Sequence, residues 1–147
     1  IFLYYEEGNP AKQISPDVMV TLGVPKHERT SFFVWKEGKA PDVVFEITSE
    51  SSMARDTIHK LKLYQKLKVQ EYYIFNPLAD PMNIQEAFLA YRLDKNNYCC
   101  IEHDGEKVFS KVLQLELAVY NKYLRLHNPR THEWIPTLEE SHKKVLE

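Results

Sequence analysis

Two Pro-Asp pairs each open a strand-like run, Pro16-Asp17-Val18-Met19-Val20 and Pro41-Asp42-Val43-Val44-Phe45-Glu46-Ile47. Their carboxylates are the first groups along the chain that could do chemistry. In the second run, alternation puts Val43, Phe45 and Ile47 on one face and Asp42, Val44 and Glu46 on the other. Apolar residues on both faces mark a central strand covered on both sides. Glu46 then lies in dry surroundings, where an ionised carboxylate needs a cation, several donors or a raised pKa. The competing reading is an edge strand with Glu46 in water, against which VVFEI is unusually apolar.

A helical run supplies the cation. At about 100° per residue, with Asp56 at zero, Leu63, Leu67 and Tyr64 fall within about 80° and Lys60 at about 40°. Lys62 and Lys66 fall about 120° and 80° round the other way, on the side away from Lys60 and Tyr64, where a solvated helix keeps its charges. One lysine therefore points where the leucines point, and a core-facing lysine usually meets a carboxylate. An ordinary Asp56–Lys60 pair at i, i+4, worth about 0.3–0.5 kcal/mol at the stripe's boundary, is the alternative. Taken together, Asp17, Glu46 and Lys60 make a candidate divalent-metal site. Two carboxylates suit Mg2+, with Mn2+ as a substitute, and leave positions for water and a phosphate oxygen. A metal acidifies its water and neutralises phosphate charge, and a lysine beside that water stabilises developing negative charge.

These residues need a scaffold, and the punctuation of the chain outlines one. Gly8-Asn9-Pro10, Ser15-Pro16, Gly23-Val24-Pro25 and Gly38-Lys39-Ala40-Pro41 separate strand candidates at 1–5, 17–22, 31–35 and 42–48. Residues 53–68 lack Gly and Pro and follow the N-cap candidates Thr48, Ser49, Ser51 and Ser52, which predicts a helix. The strand EYYIF at 71–75 comes next, stopped by Asn76-Pro77. Strand, helix, strand suggests a right-handed crossover with 42–48 and 71–75 parallel. Antiparallel strands are expected at 86–93, 97–102, 108–119 and 123–127, with turns at residues 94–97, Asp104-Gly105 and residues 120–122. Thr137 and Glu140 match a capping box opening a terminal helix. The fold class expected is α/β in a single domain, 1–147, with an antiparallel extension.

Bulk properties leave the function open. The chain of 147 residues is long enough to bury a substantial core, and nine Tyr and seven Phe favour an ordered, strand-containing fold. A net charge of −2 advertises no strong nucleic-acid or membrane binder, although acidic site residues can hide a local basic groove. The only cysteines, Cys99 and Cys100, are adjacent; they cannot staple distant segments and lack zinc-ligand spacing, which suggests a reducing, cytoplasmic setting. The six histidines form no HExxH or Cys/His cluster and read as scattered surface groups. No apolar run approaches the roughly 20 residues of a membrane span.

The run from Pro41 to Ser49, then Arg55-Asp56-x-x-x-Lys60-x-x-x-Tyr64, then Val69 to Pro77, resembles the signature of the Uma-two family of restriction-endonuclease type, in the PD-(D/E)xK superfamily. The likeness extends upstream through Glu7-Gly8-Asn9-Pro10, Ser15-Pro16-Asp17-Val18 and the stretch from Gly23 to Gly38. It continues downstream in Tyr91-Arg92-Leu93, Ser110-Lys111-Val112-Leu113 and Leu124-Arg125-Leu126. The resemblance implies a restriction-endonuclease-like mixed sheet with one main crossover helix. It also implies a Mg2+-dependent endonuclease that hydrolyses DNA phosphodiester bonds by metal-activated water. Asp17 and Glu46 match the metal-binding acids and Lys60 the catalytic lysine. That lysine normally sits two residues after the second acid; Thr48 stands there, so the resemblance places its counterpart on the helix. Asp42 matches the pattern too, but it lies roughly 13 Å from Glu46 along an extended strand and reads as a positioning residue. Family members usually begin with helices, one carrying a further glutamate, so N-terminal helices are expected to precede this chain.

Two functions from different classes follow. An endonuclease predicts that Asp17, Glu46 and Lys60 converge within about 6 Å of one point. A catalytically inactive binding or assembly module with a nuclease fold predicts a salt-bridged cluster indifferent to metal, with any exposed rings among Tyr72, Tyr73, Tyr98 and Tyr123 mattering more. The weak basic character makes a homodimer attractive, two copies jointly forming a groove for DNA. No G-x-S-x-G elbow or Cys-His pair supports a Ser or Cys hydrolase.

Overall fold

The computed structural model describes residues 1–80, 82–104 and 107–146. The chain divides into two compact units, Ile1–Glu102 and His103–Glu147.

The first unit holds two mixed sheets. Strand β1 (Phe2–Tyr4) pairs antiparallel with β2 (Gln13–Ile14) and parallel with β4 (Ser31–Phe33). The larger sheet runs β3-β5-β6-β7-β8, comprising β3 (Val18–Val20), β5 (Val43–Ile47), β6 (Glu71–Phe75), β7 (Phe88–Asp94) and β8 (Asn97–Cys100). Strands β5 and β6 are parallel, in register from Val43↔Glu71 to Ile47↔Phe75, and the other pairs are antiparallel. Between β5 and β6 the chain runs through a π-helical turn, Arg55–His59, directly into a helix, Lys60–Lys66.

Strand β5 is flanked on both sides, and Val43, Val44 and Phe45 are buried on its two faces and Glu46 with them, while Ile47 at its end is exposed. The edge-strand reading of Glu46 is thereby excluded. On one face Val44, Tyr72 and Ile74 pack with Tyr64, Val69, Leu3 and Phe32, with Leu61 and Leu67 alongside. On the other, Phe45 stacks on Tyr73 at 5.2 Å and Tyr73 on Phe88 at 6.0 Å. Each such side chain contributes roughly 1.5–3 kcal/mol by leaving water. Together they offset a charged group whose burial costs several kcal/mol.

The helix departs from regular geometry for a visible reason. In an α-helix the Lys60 N–H would bond the Asp56 carbonyl. The Tyr72 hydroxyl, from β6, donates to that carbonyl at 2.8 Å, and the Lys60 N–H bonds the Arg55 carbonyl instead. The Thr57 hydroxyl also donates back to the Met53 carbonyl at 2.7 Å, a bond that bends helices. The serines expected to cap the helix bond one another and the Ser49 N–H.

The second unit is a four-stranded antiparallel sheet, β12-β11-β10-β9, followed by a helix, Leu138–Leu146. Its strands are β9 (Val108–Ser110), β10 (Leu115–Tyr120), β11 (Tyr123–Asn128) and β12 (Glu133–Trp134). The expected strand over 108–119 is two strands and a turn. The Ser110 hydroxyl accepts the Leu113 N–H at 3.0 Å, and Gln114 takes φ 57°, so the chain reverses without Gly or Pro. The β10–β11 hairpin turns through Asn121 and Lys122, both at positive φ, as a two-residue primed turn requires. The expected capping box is present: the Thr137 N–H bonds Glu140 at 3.1 Å and the Glu140 N–H bonds the Thr137 hydroxyl at 3.2 Å. The turn expected at Asp104-Gly105 lies partly outside the described residues. The predicted antiparallel second half is thus divided, with β7 and β8 completing the large sheet and β9–β12 forming their own.

Candidate functional site

Strand register brings Asp17 beside Glu46. The pairing of β3 with β5 ends at Val18↔Phe45, and just beyond it the Asp17 N–H bonds the Glu46 carboxylate. Val44 and Glu46 share the face toward Tyr64 and Tyr72, the face that Lys60 reaches. Glu46 is 1% exposed and its carboxylate is held by three groups. Lys60 Nζ donates to Oε2, while Oε1 accepts the Asp17 N–H at 3.1 Å and the Tyr64 hydroxyl at 3.4 Å.

Of the three predicted residues, Glu46 and Lys60 therefore meet through their side chains. Asp17 meets Glu46 through its backbone N–H. Its own Oδ2 accepts the Ile47 N–H at 2.7 Å, tying the exposed carboxylate to the end of β5. Lys60 is shared, because Asp56 Oδ1 lies 3.4 Å from its amine and Asp56 is also buried. The i, i+4 pair and the pair across to the sheet were posed as alternatives; both are present.

Electrostatics separate the partners. Burial pushes the Glu46 pKa above the ordinary carboxylate value; the Lys60 hydrogen bond and charge, then the Asp17 N–H, offset only part of this, and the Asp17 charge adds to it. Burial also pulls Lys60 down, but bonding to Glu46 and its charge, followed by the charge of and bond to Asp56, leave Lys60 raised. The lysine has two acids and stays charged; the glutamate has one cation and is deeper. Three carboxylates against one ammonium leave a surplus of two negative charges when all are ionised.

The donor set fits a divalent cation. A carboxylate offers about four lone-pair directions, and Glu46 has three partners. One direction remains on Oε2, and Asp17 Oδ1 accepts no hydrogen bond among the described residues. Mg2+ typically takes one or two carboxylates and completes its shell with water and phosphate. The described residues hold no group of three or more His, Cys, Asp or Glu that could bind a metal, so a larger all-protein cage is not offered.

Asp42 does what its position suggested. Its Oδ2 accepts the Leu22 N–H at 2.7 Å, and Lys39 bonds both its oxygens at 2.9 and 2.8 Å, clamping the loop after β3 to the start of β5. Two site residues lay beyond sequence reasoning: Asp56, which was weighed only as a competing partner for Lys60, and Tyr64, which was counted as apolar stripe. Of the four tyrosines among which exposed rings were sought, Tyr72 and Tyr73 are fully buried, whereas Tyr123 is 69% exposed. The histidines are not all surface groups, because His127 is buried, bonds Glu116 at 2.8 Å and packs edge-on to Trp134. No helix among the described residues is long and apolar enough to cross a membrane.

No curated protein matches the chain. The model of the Uma2 family, described as "Putative restriction endonuclease", matches residues 3–120. The chain belongs to this family, which lies within the restriction-endonuclease-like superfamily, whose families typically use divalent metals.

Proposed function

We propose that this member of the Uma2 family is a divalent-metal-dependent endonuclease that hydrolyses phosphodiester bonds in DNA, with Asp17 and Glu46 as metal ligands and Lys60 as the catalytic cation. The Glu46–Lys60 pair is common to this reading and to an inactive module; what supports a metal is the further carboxylate of Asp17, whose N–H bonds Glu46, which leaves more acids here than the one lysine neutralises. Mg2+ or Mn2+ bound there would neutralise phosphate charge and acidify its water.

The chain's own groups have distinct tasks. Asp56 keeps Lys60 charged and aimed along the sheet face, so its ammonium can stabilise negative charge developing on a phosphate oxygen. The Tyr64 hydroxyl and the Asp17 N–H fix one oxygen of Glu46 and leave the other toward Lys60. Tyr72 fixes the turn that carries Asp56 and Lys60. The apolar wall of Val44, Tyr64 and Tyr72 limits water around these charges and strengthens each interaction.

The test is nicking of supercoiled plasmid by the chain in Mg2+ or Mn2+ against EDTA. Metal-stimulated nicking that Glu46→Ala and Lys60→Ala each reduce by about 100-fold or more is expected. Equal nicking by all three proteins, or none from the natural protein, contradicts the reading.

A further inference from the structure

Lys60 also borders a cleft of about 510 Å3 between the helical segment and β2. Its polar lining consists of Arg55, His59 and Lys60 on one side and Gln13 and Ser15 on the other, with no acidic residue. Asp17, Glu46 and Asp56 thus concentrate negative charge on one side of Lys60, and the cleft concentrates donors on another. Arg55 and His59 are exposed. Arg55 makes no ion pair among the described residues, unlike Arg29 with Glu37, Arg92 with Glu71 and Arg125 with Glu140.

The π turn explains why Arg55 and Lys60 line one cleft. In a regular α-helix, residues five apart are separated by about 140° around the axis, which would turn Arg55 away from Lys60. Here the Lys60 N–H bonds the Arg55 carbonyl, stacking the two residues on one side. Single π turns inside α-helices recur at functional sites. This one converts a solvent-facing arginine into a neighbour of the site lysine.

We infer that this cleft is a phosphate subsite, in which Arg55 and His59 hold the DNA backbone beside the bond to be cut. This rests on the nuclease reading above and deepens it. Arg55 brings a permanent charge and a planar fork of N–H donors that matches a phosphate. His59 donates a ring N–H in either charge state, and Gln13 in β2 and Ser15 just after it bring further polar groups. A phosphodiester chain supplies negative charge at every step, so a cleft without acids next to an acid-rich site orients the strand across Lys60.

The experiment measures binding of a fluorescent DNA duplex of about 20 base pairs by anisotropy, from low to moderate salt, with Ca2+ as the only divalent ion and the duplex checked intact afterwards. Each phosphate contact contributes about 0.9 to the slope of log affinity against log salt. Arg55→Ala should lower that slope by about 0.9, Arg55→Lys should restore most of it, and His59→Ala should weaken affinity severalfold. Mn2+ affinity, read by calorimetry, should be unchanged in all three, which separates a lost phosphate contact from a damaged metal site. An unchanged slope and affinity in Arg55→Ala overturns the subsite, while plasmid nicking continues to test the nuclease reading by itself. A natural chain that neither binds duplex nor nicks plasmid overturns both.

Discussion

Glu46 and Glu71 are each 1% exposed and stand on neighbouring strands, yet the register puts them on opposite faces of one sheet. Glu71 lies opposite Arg92 on β7, with the charged groups 4.0 Å apart. Glu46 accepts the Asp17 N–H and shares its lysine with Asp56. Glu71 thus has a cation across the sheet as its ion-pair partner, whereas the cation that Glu46 meets is divided between two acids. Burial of a carboxylate does not by itself mark a site; a local surplus of like charge marks it better, because it is relieved by taking up a proton or by binding a further cation.

That contrast can be broken most strongly through activity. Glu46→Gln should reduce metal-dependent nicking by at least about 100-fold, while Glu71→Gln should leave it within about threefold per folded molecule. Equal losses, measured on samples matched for folded content by circular dichroism, would remove the distinction.

Stability should run the other way. Truncating Glu71 removes a fully buried carboxylate and its ion pair with the partly exposed Arg92, so urea unfolding of Glu71→Ala should show a loss of about 2–3 kcal/mol, below the full cost of breaking a buried pair. Metal-free Glu46→Gln should change stability by less than about 1 kcal/mol, because Lys60 keeps Asp56 and burial already opposes the Glu46 charge. A larger loss at Glu46 than at Glu71 would show the site pair to be chiefly structural.

A smaller effect probes the turn that aims Lys60. Tyr72→Phe frees the Asp56 carbonyl and should cost about 1–2 kcal/mol. It should also reduce the salt slope of duplex binding toward that of Arg55→Ala, since the π turn sets Arg55 beside Lys60. An unaltered slope would detach Tyr72 from that role.

The smallest expected effect is at alkaline pH. Burial raises the pKa of Tyr72 and of Tyr98, with the Glu46 and Asp56 charges adding at Tyr72. Raised folded values mean their contribution is complete below the ordinary tyrosine pKa of about 10 and is lost as pH rises through the folded values. Unfolding free energy should therefore fall progressively above about pH 10, and less steeply in Tyr98→Phe. The same slope in that variant would contradict the assignment.

The sequence made the sheet face legible because Glu46 sits in a strand apolar on both sides, and it made Lys60 legible because one lysine broke an otherwise leucine-lined stripe. What it hid depended on distant contacts. The π turn follows from a hydroxyl sixteen positions downstream, at Tyr72, which no local propensity signals. Helical arithmetic at 100° per residue consequently placed Lys60 correctly but could not bring Arg55 to the same side. Tyr64 was hidden by its dual character, since its ring packs with Tyr72 while its hydroxyl reaches Glu46. The break in 108–119 was masked by a turn that uses Ser110 and a positive-φ Gln114 in place of glycine.

Calorimetric and thermal titration of the chain with Mg2+ and Mn2+ tests the surplus-charge account most directly. At a hundredfold excess over Kd, metal should stabilise the natural chain and Glu71→Gln by about 2.7 kcal/mol and leave Glu46→Gln unmoved. Equal stabilisation of all three proteins, or none of the natural chain, would contradict it.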